Sequence, residues 1–271
     1  MIIPFRRVAS RSVYALALVL IAAATGDQVA AQVIVLGAAE SFVVLGGSTV
    51  TNVGTTHLVG DLGVSPGTAI TGFGGASTVT GGSIHADDAL AMQAHDDTAT
   101  AYTQLAGLSS VQDLTGQDLG GLTLTPGVRN FSSSAGLTGT LILDGFGQLN
   151  PLFVFQIGST LTTATSASIS LINGANASNV WFQVGSSTTL ATGTFFQGSI
   201  IALTSNTLAT SVTMDGRILA INGAVTLDTA SIEVPVAAIP EPAEASVVLA
   251  GLAAIGVCLR RFRMRRRAAA C

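Results

Sequence analysis

Three phrases in the C-terminal half decide how this chain folds: Thr189-Leu190-Ala191-Thr192, Thr207-Leu208-Ala209-Thr210 and Thr226-Leu227-Asp228-Thr229. They recur at steps of 18 and 19 residues. The text after them recurs too, since Gly198-Ser199-Ile200-Ile201-Ala202 aligns with Gly216-Arg217-Ile218-Leu219-Ala220. A step of this size holds three short strands and three corners, one turn of a parallel β-helix. An earlier copy, Thr160-Leu161-Thr162-Thr163, stands 29 residues before the first of these. Side chains alternate along a strand, so Leu161, Leu190, Leu208 and Leu227 are expected to point inward and stack. Thr160, Thr189, Thr207 and Thr226 then form one outward column. Thr162, Ala191, Ala209 and Asp228 form a second, and Ser187, Ser205 and Ala224 a third.

Working outward from these phrases, residues 32 to 239 show short β-type runs broken by Gly, Asn, Asp and Ser. Examples are Ser41 to Leu45, Thr140 to Leu143, Phe153 to Ile157 and Val180 to Val184. The chain has 271 residues, 31 of them glycine, and only 10% are charged, a composition unlike that of a helical bundle. One segment departs from the pattern. From Ile84 to Ala106 there is no Gly or Pro. Ser83 suits its cap, Asp87 and Asp88 its first turn, and Gly107 its end. Ile84, Leu90, Ala91, Ala94, Thr98, Ala101, Tyr102 and Leu105 share one side at helical spacing, with Gln93, Asp96, Thr100 and Thr103 opposite. The expected architecture is mostly β, a solenoid with one long helix (about 84–106) packed alongside.

The two ends read differently from the middle. Arg6, Arg7 and Arg11 precede an apolar run from Val13 to Ala24 and then Val29-Ala30-Ala31, the order of a secretory signal peptide over residues 1–31, cleaved after Ala31. At the other end, residues 240–271, stand Pro240-Glu241-Pro242, an apolar segment from Ala245 to Leu259 and six arginines between Arg260 and Arg267. Fifteen apolar residues are short for a membrane span, but flanking arginines snorkel. This tripartite tail resembles the PEP-CTERM sorting signal of Gram-negative bacteria. The resemblance implies export, transient membrane insertion through the tail, and an exosortase-type protease as a partner. Between the ends, Arg129 and Arg217 face twelve acidic side chains from Glu40 to Glu233. Such an acidic body has no electrostatic route to nucleic acid.

Catalytic chemistry finds little support. His57, His85 and His95 are the three histidines; His85-Ala86-Asp87-Asp88 and His95-Asp96-Asp97 place acids beside two of them without zinc-type spacing. No nucleophile elbow or phosphate-binding glycine pattern stands out. The chain is expected to be no enzyme and to need no cofactor or metal. Trp181 and the phenylalanines are expected in the core, with Phe196 a candidate for the outside.

Longer phrases carry a family resemblance. Asp61-Leu62-Gly63-Val64-Ser65-Pro66-Gly67, the run from Asp113 to Val128, Phe153-Val154-Phe155-Gln156-Ile157-Gly158-Ser159, Val180-Trp181-Phe182-Gln183-Val184-Gly185-Ser186-Ser187 and Gly216-Arg217-Ile218-Leu219-Ala220 are similar to those of the DUF3494 ice-binding proteins. The resemblance covers nearly all of residues 32 to 239. It implies a discontinuous right-handed parallel β-helix, with the N-terminal coil beside the last C-terminal coil and a long helix alongside, and ice as the ligand. Many relatives have an aromatic where Arg129 stands and a Cys where Ser178 stands. The Thr-(Ala/Gly)-x-(Thr/Asn) motif of strong binders has no clean copy; Thr163-Ala164-Thr165-Ser166 comes nearest.

On this reading the outward columns are the site: Thr160, Thr162, Ser187, Thr189, Ala191, Ser205, Thr207, Ala209, Ala224 and Thr226. Coils repeat at about 4.8 Å and alternate residues along a strand at about 6.6–7 Å, near oxygen spacings in ice. A flat array of hydroxyls and methyls then orders water in a lattice-like layer, and rigidity spares the ordering entropy on binding. A second face, with Thr194, Phe196 and Ser199, is the next choice. The competing expectation is a cell-surface or extracellular-matrix structural or adhesive protein.

Overall fold

The computed structural model describes residues 34–235, so the expected signal peptide and sorting tail lie outside the described residues. The chain runs in circuits of three short strands. The first is β1 (Phe42–Gly46), β2 (Thr49–Val53) and β3 (His57–Val59). The second is β4 (Asp61–Val64), β5 (Ala69–Thr71) and β6 (Thr78–Thr80), followed by β7 (Ile84–Ala86) and the helix α1 (Ala89–Ala106). After α1 a partial circuit holds β8 (Gln112–Asp113) and β9 (Thr123–Leu124). Five full circuits follow: β10 (Gly127–Phe131), β11 (Ala135–Leu137), β12 (Thr140–Asp144); β13 (Phe153–Ile157), β14 (Leu161–Thr163), β15 (Ser168–Ile172); β16 (Val180–Val184), β17 (Thr188–Leu190), β18 (Phe195–Gln197); β19 (Ser199–Ala202), β20 (Asn206–Leu208), β21 (Thr213–Asp215); and β22 (Ile218–Ala220), β23 (Val225–Asp228), β24 (Ser231–Glu233).

Three parallel sheets result. The first, in order, is β7-β4-β1-β22-β19-β16-β13-β10-β8; the second is β11-β14-β17-β20-β23-β2-β5; the third is β6-β3-β24-β21-β18-β15-β12-β9. The N-terminal circuits do not start the stack. They add to its far end, with Val44 beside Ile218, Thr51 beside Thr226 and Ile232 beside Leu58. The stack is therefore continuous in space and discontinuous in sequence, as the resemblance implies.

One apolar core fills the space between the sheets. Leu161, Leu190, Leu208 and Leu227 all lie in it, as expected, together with Phe155, Phe182 and Phe196. Phe155 and Phe182 stack at 4.5 Å between ring centres, and Phe196 packs on Phe182 at 4.9 Å. Phe196 is thus inside, and it is the neighbouring Phe195 that stands out of the sheet. Arg129 pairs with Phe155 across β10 and β13, so it takes the next inward place in the Phe182–Phe155 column and is itself buried.

The central strands of the first sheet, β1, β22, β19, β16 and β13, are buried on both sides, because α1 covers their outer surface. Ala94, Ala101 and Leu105 of the helix meet Phe42, Leu45, Val154, Trp181, Ile201 and Leu219 of the sheet. The small alanine side chains allow close approach. Both helix ends are tied down. Asp88 caps the start by accepting from the Ala91 amide at 2.9 Å, and Gln156 donates from Nε2 to the carbonyls of Leu105 and Leu108, each at 2.8 Å. The helix is shorter than the sequence predicts. Ile84–Ala86 pairs as a strand with Leu62–Val64, Asp87 turns the chain at φ +52, and Asp88 rather than Ser83 is the cap. Ile84 and Leu90 are exposed as a consequence, while the polar side with Gln93, Asp96, Thr100 and Thr103 faces solvent as expected. No helix among the described residues is long and apolar enough to cross a membrane.

Candidate functional site

The second sheet carries the predicted outward residues. Its central outward column runs Gly136, Thr162, Thr189, Thr207, Thr226, Thr51, Thr71, each in direct register with the next. Six threonines in line, one per circuit, form a ladder at the inter-strand spacing of about 4.8 Å. The hydroxyls of Thr51 and Thr71 stand 3.5 Å apart. At the other end Gly136 is bare, and a side chain there would meet Asp118 Oδ2 at 2.8 Å. Asp118 closes that end. Burial works to raise its pKa, but hydrogen bonds from the Thr138 amide and hydroxyl and from the Gly120 amide outweigh it and hold the carboxyl below its usual value.

On one side of the ladder lies a column of Ser134, Thr160, Ser187, Ser205, Ala224 and Thr49. Its members lean on one another: Thr160 Oγ1 donates to Ser134 Oγ at 2.8 Å, and Ser187 Oγ accepts from the Ser205 amide at 3.3 Å. On the other side lie Ala164, Ala191, Ala209, Asp228 and Val53, the last two in register. All ten predicted site residues therefore share this one face. Two belong to columns other than those assigned from the sequence. Thr162, not Thr160, stands beside Thr189, and Thr160 stands in the Ser187 column. Leu161 accordingly faces Thr188, and Thr163 takes the inward place that Leu190 and Leu208 fill in later circuits. Thr163 is satisfied there by Thr194 Oγ1 at 2.8 Å and by the Ala191 amide at 2.8 Å.

The sequence reading missed Thr49, Thr51 and Thr71. The alternating Thr49-Val50-Thr51 carries the signal, but only the joining of β2 to β23 places it on this face. The alternative face is overturned. Thr194, Phe196 and Ser199 are all fully buried, because the turn at Gly193, with φ +70, resets the alternation after Leu190.

The third sheet points a mixed set outward: Phe195, Thr213, Ser231, His57 and Thr78 in one column, and Asp215, Glu233, Val59 and Thr80 in another. Partial burial and the neighbouring Glu233 raise the Asp215 pKa, against a hydrogen bond from Gln197 and the attraction of Arg217.

The histidine–acid pairs are local. His85 Nδ1 meets Asp88 Oδ2 at 2.7 Å beside the helix cap, whereas His95 Nε2 meets the Ile221 carbonyl at 2.9 Å. Asp88 and His95 thus serve different partners. Among the described residues, no three His, Cys, Asp or Glu side chains are placed to hold a metal ion.

A groove of about 820 Å³ lies where the chain passes from the third sheet to the first. Ile34, Leu36, Leu90, Trp181, Arg217 and Pro235 line it, so both ends of the described chain meet there. Arg217 braces this corner by donating from Nε and Nη2 to the Glu40 carbonyl at 3.0 and 2.7 Å.

Comparison with known proteins agrees with this arrangement. Residues 44–233 match the family model described as ice-binding-like. An ice-binding protein of Nostoc sp. (strain HG1) is 52% identical over 244 residues, covering 86% of this chain and 90% of that protein. Among solved structures, an ice-binding protein from an Antarctic biological consortium is 43% identical with a TM-score of 0.73, over 77% of this chain and 95% of the other. One from the Antarctic ascomycete Antarctomyces psychrotrophicus is 40% identical with a TM-score of 0.73, over 76% of this chain and all of the other. With the family model matching residues 44–233 and a relative 52% identical over 86% of this chain, the chain belongs to the ice-binding-like family.

Proposed function

We propose that this protein binds ice through the second sheet and thereby slows ice growth or recrystallisation. The observation that carries the reading is the threonine ladder, flanked by serines and alanines, on a sheet whose positions are fixed by backbone pairing on both sides. Each threonine offers a methyl and a hydroxyl. A single such contact is worth little, and only a rigid, repeated array sums them against a solid surface. The named ice-binding relatives support the ligand. The test is thermal hysteresis and a recrystallisation assay on the purified protein. Crystals that are shaped and arrested support the reading, and growth equal to that in a protein-free control removes it.

Finer parts of the reading rest on the sequence and on general rules. We read the circuits as a right-handed parallel solenoid, the hand that parallel crossovers favour almost without exception. The signal-like start and the PEP-CTERM-like end support an exported protein of a Gram-negative envelope, held in the membrane by residues 240–271 until an exosortase-type protease acts. The same tail favours a second reading, a surface adhesive or matrix role. Intact mass of the exported protein tests the processing: loss of residues 1–31 and of the tail supports it, and a full-length mass removes it.

A further inference from the structure

The second sheet has one blemish, and it falls on the side column of small residues. One step beyond the Leu208–Leu227 pair, the column of Ala164, Ala191 and Ala209 meets Asp228. It is the one charged side chain that the seven strands of this sheet turn outward. It does not hang free. Thr210 Oγ1 donates to Asp228 Oδ2 at 2.6 Å, and Thr229 Oγ1 donates to Oδ1 at 3.1 Å. The two hydroxyls fix the carboxylate at the surface, half-buried, beside Thr226 of the ladder and Val53 of the next circuit.

A carboxylate holds water by strong, radially oriented hydrogen bonds. Docking such a group against a solid lattice either strips that water or traps it in an arrangement that the lattice does not share. Removing an ion from water without a counter-charge is among the costliest things an interface does. Among the described residues no cation pairs with it, and its two partners are neutral hydroxyls. The alanines at the equivalent places cost nothing of the kind.

We infer that Asp228 is an activity-limiting residue: its fixed charge interrupts the ice-adsorbing face and holds adsorption below what the ladder of Thr162, Thr189, Thr207, Thr226, Thr51 and Thr71 would give alone. The inference rests on the ice-binding reading above. It assigns the limit to charge rather than to shape, and this is what the experiment separates. Asp228→Asn keeps the size and removes the charge, with one threonine hydroxyl still donating to its carbonyl oxygen and the other accepting from its amide N–H; Asp228→Ala extends the alanine column. Thermal hysteresis is measured on the full chain at matched concentration near 0 °C, with a melting curve for each variant and Thr207→Tyr alongside. Both Asp228 variants are expected to exceed the wild type about twofold with the melt preserved. Asp228→Asn at or below the wild-type value overturns the inference, even if Asp228→Ala gains, because the limit would then be shape. An active wild type silenced by Thr207→Tyr but not improved by Asp228→Asn sinks this inference alone. A wild type as inactive as Thr207→Tyr removes the ice-binding reading and this one with it.

Discussion

The second and third sheets come from the same circuits, have strands of similar length and share one core, yet their outer surfaces differ in kind. The second turns out Thr, Ser and Ala in register, with one acid among its strands. The third turns out Phe195, His57, Asp215 and Glu233, and apolar Phe146 and Ile172 stand exposed nearby. Backbone pairing gives every face of such a stack the same regular spacing. Regular spacing alone therefore recognises nothing. The recogniser is the face whose side chains also repeat in size and charge, so that it stays flat from circuit to circuit.

The sharpest way to break this contrast is to spoil one position on each face. Thr207→Tyr places a ring above the middle of the ladder, and thermal hysteresis is expected to fall at least tenfold with little change in the melt, since strands accept Tyr. Thr213→Tyr, the same change at an outward site of the third sheet, is expected to leave hysteresis unchanged. Equal losses from both would show that the faces act alike. Thr51→Tyr asks whether the N-terminal circuits extend the active face; about a twofold to fivefold loss is expected, and full activity would confine the site to the later circuits. Beneath both faces, Leu208→Ala is expected to cost about 2–5 kcal/mol in denaturant titration. A variant as stable as the wild type would contradict the inward column.

Smaller effects separate the faces by their acids. Asp118, at the end of the second sheet, has its carboxyl held below the usual value, so the folded chain takes up that proton less readily than the unfolded chain. Its contribution is complete above the unfolded value, near pH 4, and is lost as pH falls through the lower folded value. Asp118→Ala is expected to lower the melting temperature by about 2 °C at pH 7, with the gap closing in acid. Asp215, on the third sheet, has the opposite sign. Its pKa is raised, so stability is lost as pH rises through the folded value, and ionisation is a net cost at neutral pH. Asp215→Asn is expected to raise the melting temperature by about 1 °C at pH 7 and not at all near pH 3.

The repeat was legible where the circuits carry no insertion. Thr189, Thr207 and Thr226 stand in register at the spacing that the sequence shows. It misled at Thr160 because Thr163 occupies an inward place that leucine fills elsewhere, and its bond to Thr194 hides the polar group from any pattern of hydrophobicity. The helix start was illegible for a tertiary reason. Ile84-His85-Ala86 has no helix breaker, and only the free edge of Leu62–Val64 draws it into a strand. Thr51 and Thr71 of the ladder were hidden because Thr51 joins the rest through Thr226, more than 150 residues away along the chain. Periodicity reports on residues that follow one another, not on circuits that meet by docking.

The corner where Ile34 and Pro235 share a groove joins the third sheet to the first, and so lies across the core from the second. The chain both enters and leaves the described domain by that edge. A ligand that is a growing solid has no outline to fit around; it accepts only a partner with nothing standing between it and the plane of contact. Both described ends lie on the side away from that plane, so neither stands between the second sheet and a flat crystal of any size.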